Sequence, residues 1–386
     1  MARAAARHPS RIRPEGDVAR EAGWVVLSAA LGLVMLGLVM VYSTSSALGA
    51  VEGRAHTALL IRQARWVVLG VLVAWVAAVV PLSWLRRAAA PAMGVALVLL
   101  ALTLLLAPSI KGSRRWLYVA GISIQASEFF KLAVLLYLAD RLARRDAEQT
   151  QGLATRLLPV LAPVGIGLVL VLVEPDLGAS LFIAAQAVVL LGLAGVRPTR
   201  MLPFALTVVP AVLFFAYTRF PHVRNRLHLY TAGADPGTQV HEALVAIGSG
   251  GALGKGLGQG AQKLGYFAEA HNDFIFAVIG EELGFAGCAA VVLGYMAFAW
   301  FGRRVAWCGR ALGSHAMYLA AGATFIVAFQ ALINVAVVTA TAPTKGVSLP
   351  FISTGGSNLL MASCCVGLIL NVARRAARVG DEAYEG

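Results

Sequence analysis

The sequence predicts an all-α polytopic membrane protein: a bundle of ten transmembrane helices with a large extracytoplasmic loop between helices 7 and 8. Of its 386 residues, 59% are hydrophobic and only 13% are charged. Apolar runs of about 18 residues or more recur along the chain, and each is long enough to cross a bilayer as a helix. These runs are too long and too numerous for the core of a soluble protein.

Short polar connections separate the apolar runs, with one long loop at 218–272. A basic tail, 1–23, for which we expect no regular structure, precedes the membrane domain at 24–373, and a second tail follows at 374–386. The spans are predicted, in order, at 24–42, 66–82, within 87–111, 124–140, 157–173, 177–196, 201–217, 273–302, within 310–345, and a tenth that ends at 372.

The distribution of positive charge predicts the orientation. Ten spans place both termini on one side of the membrane, and that side carries 19 of the 32 Lys and Arg residues. The side richer in cations is cytoplasmic, so the loop at 218–272 is predicted to lie outside. Contact with lipid headgroups and the orientation of the spans account for the net charge of +13, so binding of nucleic acid is not needed to explain it. The four cysteines have no C-x-x-C spacing, which excludes a disulfide framework and a zinc site.

Several cations fall on the outer side, in short loops where the positive-inside tendency disfavours them. A phosphate-bearing ligand at the outer surface would account for their position. Plain contact with lipid headgroups is the alternative. The residues concerned are Lys111, Arg114, Arg115, Lys255, Lys263 and Lys345.

Asp273 lies where a polar, glycine-rich loop becomes the eighth apolar span. Charge near a bilayer is costly, so an acid in this position is a hypothesis for a functional site, and Asp273 is our candidate general base. If Asp273 is the first residue of that helix, Glu281 lies about 80° around the helix from it and Glu282 lies opposite.

The alternate spacing of Glu269, His271 and Asp273 provides oxygen and imidazole ligands that suit Mg²⁺ or Mn²⁺. Three ligands at alternate positions do not establish a metal site. We therefore predict no required cofactor, and Mg²⁺ or Mn²⁺ at these residues stays open.

Two other groups of charged residues have both a structural and a functional interpretation. Glu128 and Lys131 are three apart on a predicted helix and can pair; alternatively, Lys131 neutralises a lipid-linked phosphate and Glu128 orients it. In the turn Glu174-Pro175-Asp176, Asp176 can cap the sixth span. A structural or substrate-adjacent role is favoured there over a catalytic one.

The glycine-rich run at 248–260 looks at first like a phosphate-binding loop. It departs from the G-x-x-x-x-G-K-[ST] template because Ser249 holds the first glycine position and Gly256 the last position. A flexible turn whose backbone N–H groups and Lys255 meet a pyrophosphate is the remaining alternative.

Together these motifs resemble the SEDS family (shape, elongation, division and sporulation) over nearly all of residues 24–373. Gly280 and the segment Pro343-Thr-Lys-Gly346, between the ninth and tenth spans, resemble the division (FtsW) branch more than the elongation (RodA) branch. The matching segments are 112–116, 125–132, 174–176, 247–251, 255–258, 262–264, 269–284, 343–346 and 349–353.

The resemblance implies an inverting peptidoglycan glycosyltransferase of the inner membrane, which polymerises lipid II into β-1,4 glycan strands at the outer face of that membrane and releases undecaprenyl pyrophosphate. The implied process is cell division, at the septum, with shape and elongation as the alternative. Implied partners are lipid II, the undecaprenyl-pyrophosphate-linked glycan, a class B penicillin-binding protein and other division proteins. Asp273 matches the family's essential acid. The candidate substrate-binding residues are Trp116, Glu128, Lys131, Arg114, Arg115, Glu174, Asp176, Lys255, Lys263, Lys345 and Ser353.

The chain also departs from the family pattern at Ala126, Asn272, Thr354 and Gly265. Gly265 replaces a family glutamate and puts the role of a second loop carboxylate in doubt, with Glu269 as the alternative.

Two other classes of function remain: a lipid II flippase and a non-catalytic division scaffold. Transport requires a polar path through the midplane. The predicted spans three, five, six, seven, nine and ten contain no Asp, Glu, Lys or Arg, which favours catalysis. A scaffold would tolerate the loss of Asp273.

Overall fold

The structure is a computed structural model that describes residues 15–52, 58–108, 115–119, 122–146, 153–197, 199, 210, 214, 217–218, 224, 238–260, 273–343 and 346–385. Helices dominate this part of the chain, and one two-stranded hairpin interrupts them. The elements are α1 Glu15–Glu52, α2 Ala58–Val79, α3 Leu82–Leu106, β1 Trp116–Val119, β2 Ile122–Gln125, α4 Ala126–Asp146, α5 Leu153–Val173, α6 Leu177–Leu193, α7 Gln239–Ser249, α8 Ile275–Cys308, α9 Ser314–Val338 and α10 Gly356–Glu385.

Six of the described helices are long and apolar enough to cross a membrane: α1, α2, α3, α8, α9 and α10. Shorter apolar segments lie in α5 and α6. The prediction of a helical membrane protein is therefore confirmed. The predicted seventh span, 201–217, lies almost entirely outside the described residues, so the count of ten stays a prediction.

α4 lies inside the bundle, in contact with α3, α5, α6, α9 and α10. Three of its charged side chains, Glu128, Lys131 and Asp140, are buried. Neighbouring helices shield them from lipid, so a helix of mixed polarity can occupy this depth. In contrast, α2 and α3 expose many large apolar side chains, as helices that face hydrocarbon do.

Both ends of the described chain lie at the same end of the bundle. Arg20 near the start of α1 forms an ion pair of 2.5 Å with Asp381 near the end of α10. Cys308, at the end of α8, packs beside Ala19 in the same region. Along α1, Ser43 lies about 35 Å from Arg20, and Ser43 contacts Glu282 near the beginning of α8. The beginning of α8, and Asp273 just before it, therefore lie toward the opposite end of the bundle.

Helices α1 and α10 extend further than the sequence predicts. α1 begins at Glu15, so the expectation of irregular structure is wrong for residues 15–23. α10 continues through most of the predicted tail, to Glu385. Alanines on the two extensions pack against each other, which stabilises helix beyond the apolar runs.

The hairpin of β1 and β2 was not predicted. Its strands are antiparallel, with Trp116 opposite Gln125 and Tyr118 opposite Ser123. Residues 122–125 do alternate apolar and polar side chains, but four residues are too few for periodicity to indicate a strand. α4 consequently begins at Ala126 and not at the predicted position 124.

Candidate active site

Asp273 occupies the turn that leads into α8. The sequence analysis made it the first residue of that helix, whereas the helix begins two residues later, at Ile275. The angular relation predicted between Asp273 and Glu281 therefore does not apply, because Asp273 has no helical position. The side chain is partly buried, and its surroundings come from other segments of the chain.

The loop between α9 and α10 lies directly against the Asp273 carboxylate. A β-carbon built on Gly346 would lie 2.9 Å from Asp273 Oδ2, which is shorter than any ordinary contact. Glycine therefore lets the main chain approach the acid closely, whereas a side chain here would require the Asp273 carboxylate to move.

Two amides on α9 hold this loop. The Asn334 Nδ2 group donates to the main-chain oxygen of Asp273 at 2.8 Å and to that of Val347 at 2.6 Å. Four residues earlier and on the same helix face, Gln330 Nε2 donates to the main-chain oxygen of Ser348 at 3.0 Å. Sequence analysis missed both amides. The available signal was two amides spaced four apart in the apolar second half of α9.

Lys131 pairs with Glu128, as their spacing predicted. The Lys131 Nζ atom lies 2.8 Å from Glu128 Oε1 and 2.8 Å from Gln330 Oε1. It also lies 4.6 Å from the centre of the Phe182 ring. The ammonium group thus contacts buried protein groups, and contact with a lipid-linked phosphate would require these contacts to open.

A buried polar network results from these contacts. It runs from Glu128 through Lys131 and Gln330 to the loop between α9 and α10, and from that loop through Asn334 to the main chain of Asp273. Hydrogen bonds in such an environment are strong because water does not compete for them. The ion pair and the candidate acid therefore belong to one connected structure.

α8 is broken at Gly284, whose φ of 68° and ψ of −162° are not helical. In a continuous helix, the N–H groups of Phe285 and Ala286 would donate to carbonyl groups four residues earlier. Here they donate to the main-chain oxygens of Gly251 and Ala252, at 2.9 and 3.1 Å. The glycine-rich loop therefore replaces part of the hydrogen bonding of the helix.

The two carbonyl groups that the break releases are also satisfied by this loop. The main-chain oxygens of Glu281 and Glu282 accept hydrogen bonds from the N–H groups of Lys255 and Gly256, both at 3.0 Å. The side-chain ammonium of Lys255 lies 2.9 Å from Glu281 Oε1. These groups hold α8, and the alternative that they form a pyrophosphate-binding turn stays a prediction.

Glu282 ties the same loop to α1. Its carboxylate accepts hydrogen bonds from Ser43 Oγ at 2.6 and 2.8 Å and from the N–H of Gly258 at 3.1 Å. Glu281 and Glu282 are both fully buried. The sequence analysis assigned neither residue this anchoring role.

A second cluster of charged side chains lies at the turn between α5 and α6. Asp176 caps α6, as predicted: its Oδ1 atom accepts from the N–H of Ala179 at 3.1 Å. Arg115 donates to the main-chain oxygens of Glu174 and Pro175 and lies 3.9 Å from the Asp176 carboxylate. Burial, together with the charge of Asp176, raises the pKa of Glu174 from 4.5 to about 8.

Trp116 and Ser353 lie in segments that hydrogen bonds hold to the rest of the protein. Trp116 pairs with Gln125 in the hairpin, and the N–H of Gln125 donates to Ser357 Oγ at 3.1 Å, which fastens the hairpin to the start of α10. The hydroxyl of Ser353 accepts from the N–H of Leu349 at 2.8 Å and closes the turn before α10.

The remaining predicted site residues lie outside the described residues: Arg114, Lys263, Glu269, His271 and Lys345. Within the described ranges, no group of three His, Cys, Asp or Glu side chains is arranged to hold a metal ion. Two of the three predicted metal ligands belong to the undescribed set, so the structure leaves that prediction untested.

Fold and site together define an integral membrane protein in which a buried polar network leads to an acid at one end of the bundle. The chain belongs to the FtsW/RodA/SpoVE family, whose model, described as cell cycle protein, matches residues 24–378. The SEDS resemblance drawn from the motifs is thereby confirmed.

The names of individual relatives are consistent with this family. The chain is 35% identical, over 90% of its length and 92% of the relative's, to a protein of Trichlorobacter lovleyi named "Probable peptidoglycan glycosyltransferase FtsW". It is 40% identical to a protein of the same name from Thioalkalivibrio sulfidiphilus, over 91% of this chain and 89% of that one.

Solved structures are similar as well. One, described as "Structural coordination of polymerization and crosslinking by a peptidoglycan synthase complex", matches with a TM-score of 0.72 at 26% identity and covers 92% of this chain and 98% of its own. The Rod shape determining protein RodA of Thermus thermophilus matches with a TM-score of 0.61 at 26% identity, over 91% and 96%.

Proposed function

We propose that this chain is a peptidoglycan glycosyltransferase that polymerises lipid II into β-1,4 glycan strands at the outer face of the bacterial inner membrane during cell division. The observation that carries the proposal is the position of Asp273, which lies against Gly346 at the end of the bundle opposite to both chain ends. Relatives 35% and 40% identical to the chain are named as glycosyltransferases of this kind.

In the proposed reaction Asp273 is the general base. It accepts the proton from the 4-hydroxyl of the GlcNAc of one lipid II, and that oxygen attacks C1 of the lipid-linked glycan chain. The bond between C1 and the pyrophosphate oxygen breaks on the opposite face, so the α-linked pyrophosphate gives a β-1,4 bond. Undecaprenyl pyrophosphate leaves with the bonding electrons.

Positive side chains stabilise the charge that develops on the departing pyrophosphate. Lys345 immediately precedes Gly346 in the sequence, which supports its role beside the acid. Arg114 and Lys263 are further candidates from the outer loops. Lys131 and Lys255 each form an ion pair with a glutamate, so we assign them to holding the site in place and not to direct phosphate contact.

We assign no step to a metal ion. Asp273 is the one described member of the predicted ligand set, and the described residues contain no group of three His, Cys, Asp or Glu side chains that could hold an ion. The cluster of Glu269, His271 and Asp273 with Mg²⁺ or Mn²⁺ stays a prediction from the sequence.

The membrane arrangement that fits this activity has ten spans, both termini in the cytoplasm and residues 218–272 outside, at the division septum. The contact between Arg20 and Asp381 supports termini on the same side. The excess of Lys and Arg on that side supports the cytoplasm as its location.

The proposed partner is a class B penicillin-binding protein that cross-links the strands, together with other division proteins. Support comes from the similarity to a solved structure described as a peptidoglycan synthase complex that coordinates polymerization and crosslinking. The substrates are lipid II and the undecaprenyl-pyrophosphate-linked glycan.

The test is polymerisation of labelled lipid II by the purified full chain, with and without its penicillin-binding partner. We expect Asp273→Asn to abolish glycan formation and to leave the thermal unfolding temperature unchanged, because the amide keeps the shape but cannot accept the proton. Asp381→Asn is the matched control: it removes a partly exposed ion pair, which contributes little, and polymerisation should continue. Glycan synthesis at the normal rate by Asp273→Asn would refute the base assignment.

A further inference from the structure

We infer that Asn334 is a positioning residue for Asp273: its side-chain amide joins the main chain of the turn that holds the acid to the main chain of the loop between α9 and α10. The inference rests on the proposed function in one respect, the role of Asp273 as the base. The arrangement of the two main-chain segments does not depend on that role.

Asn334 uses both hydrogens of its amide for this connection. Its Nδ2 atom lies 2.8 Å from the main-chain oxygen of Asp273 and 2.6 Å from that of Val347. The side chain is only 1% exposed, so water cannot replace either hydrogen bond. Removal of the amide would take a donor from two carbonyl groups in an apolar interior, which is unfavourable.

Both ends of this connection lie close to the carboxylate in the sequence of their segments. On one segment Asn334 binds the carbonyl group of Asp273 itself, and on the other it binds Val347, which follows Gly346. The main chain of Gly346 approaches Asp273 Oδ2 so closely that a β-carbon would lie 2.9 Å from it. The Asn334 amide thus joins the turn that holds the carboxylate to the loop that lies against it.

Gln330 anchors the same loop independently. It donates to the main-chain oxygen of Ser348 at 3.0 Å and to Asn358 Oδ1 at 2.8 Å, which ties the loop to α9 and α10. Loss of Asn334 therefore releases the turn of Asp273 while the loop keeps its attachment to the helices. The expected consequence is a displaced acid in a folded protein.

The chain contains a matched control. Asn371 in α10 is fully buried, and its Nδ2 atom donates to two main-chain oxygens, those of Ala77 and Val80, both at 2.7 Å. It has the same chemistry as Asn334 but connects α10 to the end of α2, away from Asp273. Substitution of either asparagine removes two hydrogen bonds to main-chain oxygens. Asn371→Ala also removes the hydrogen bond that Arg375 Nε donates to Asn371 Oδ1 at 2.7 Å, so it should lower stability at least as much as Asn334→Ala.

The experiment compares Asn334→Ala and Asn334→Asp with Asn371→Ala in the full-length protein, by steady-state polymerisation of lipid II and by hydrogen–deuterium exchange. We expect Asn334→Ala to lower kcat by about 10- to 100-fold with KM changed less than about 2-fold, because a displacement of about 1 Å costs that much in rate. Asn334→Asp should not restore kcat, since a carboxylate of the same shape cannot donate. Exchange of residues 273–279 and 346–353 should rise in both Asn334 variants.

Asn371→Ala should lower the unfolding temperature and leave kcat and the exchange of these segments unchanged. The inference is overturned if Asn334→Ala keeps its kcat, if exchange of the two segments does not rise, if Asn334→Asp restores activity, or if Asn371→Ala loses kcat equally. Failure of the proposed function is distinguishable: it would appear as normal turnover by Asp273→Asn, whereas the exchange measurement requires no chemistry.

Discussion

At the scale of single residues, Lys131 shows how a charge is accommodated inside the membrane domain. It is 4% exposed, and Glu128, Gln330 and the Phe182 ring surround its ammonium group. The desolvation of two buried charges offsets much of their attraction, so such a pair is weak evidence for stability. Its connection to the loop beside Asp273, through Gln330, is the better explanation for its presence.

We expect Lys131→Ala to lower both stability and activity. It leaves the Glu128 carboxylate buried without its partner, which costs about 3–5 kcal/mol of unfolding free energy. The double variant Glu128→Leu/Lys131→Met removes both charges and should recover most of the unfolding temperature. Lipid II turnover should stay low, because Gln330 loses the donor to its Oε1 atom. Recovery of turnover together with stability would show that the pair is only structural.

Glu174 should make the stability of the folded protein depend on pH. Its carboxyl is buried beside Asp176, and its pKa is raised from 4.5 to about 8, so the folded protein holds a proton that the unfolded chain releases above about pH 4.5. The resulting stability is fully present below pH 4.5 and is lost as pH rises through about 8. We therefore expect the unfolding temperature to fall over this range, and Glu174→Gln to remove that part of the fall.

Asp176→Ala tests the second cause of the raised pKa of Glu174. It removes the cap of α6, which should lower stability by about 1 kcal/mol where Glu174 is protonated. It also removes a charge that raises the pKa of Glu174, so the fall of the unfolding temperature with pH should be smaller. An unfolding temperature with the same pH dependence in wild type and Glu174→Gln would contradict the raised pKa.

At the scale of elements, the break in α8 explains the glycine-rich loop. The helix gives up two hydrogen bonds at Gly284, and residues 251–256 supply the replacements. Close approach of two main chains requires glycine: a β-carbon on Gly254 would lie 2.1 Å from the main-chain oxygen of Glu282. The glycine-rich loop, which precedes Asp273 in the sequence, is thus attached to α8, the helix that follows Asp273.

Gly284→Ala should detach this loop. The φ of 68° disfavours any side chain, at a cost of about 1–3 kcal/mol, and the new β-carbon would lie 2.3 Å from the Gly254 nitrogen. We expect a lower unfolding temperature and faster hydrogen exchange at residues 251–258. Gly94→Ala, in α3 with no atom within 4 Å of the new β-carbon, should be neutral or stabilising by about 0.5–1 kcal/mol. Equal effects of the two substitutions would contradict this role for Gly284.

At the scale of the whole molecule, the buried polar network that runs from Glu128 through Lys131 and Gln330 lies between helices that are otherwise apolar. α2 and α3 present large apolar side chains outward, while α4, α9 and α10 enclose the network that leads to Asp273. This arrangement is typical of a membrane enzyme, because polar groups at membrane depth require protein partners.

The sequence by itself determined the membrane class, the six long apolar helices that the structure describes, the Glu128–Lys131 pair and the Asp176 cap, and it proposed the candidate acid. These features are local, since hydrophobic periods, i,i+3 pairs and caps each depend on residues close together in the chain. Only the tertiary structure decided what Gln330, Asn334, Lys255 and the two glutamates of α8 contact. Their partners lie on other helices and loops, and a hydrogen bond to a distant main-chain oxygen leaves no pattern in a sequence.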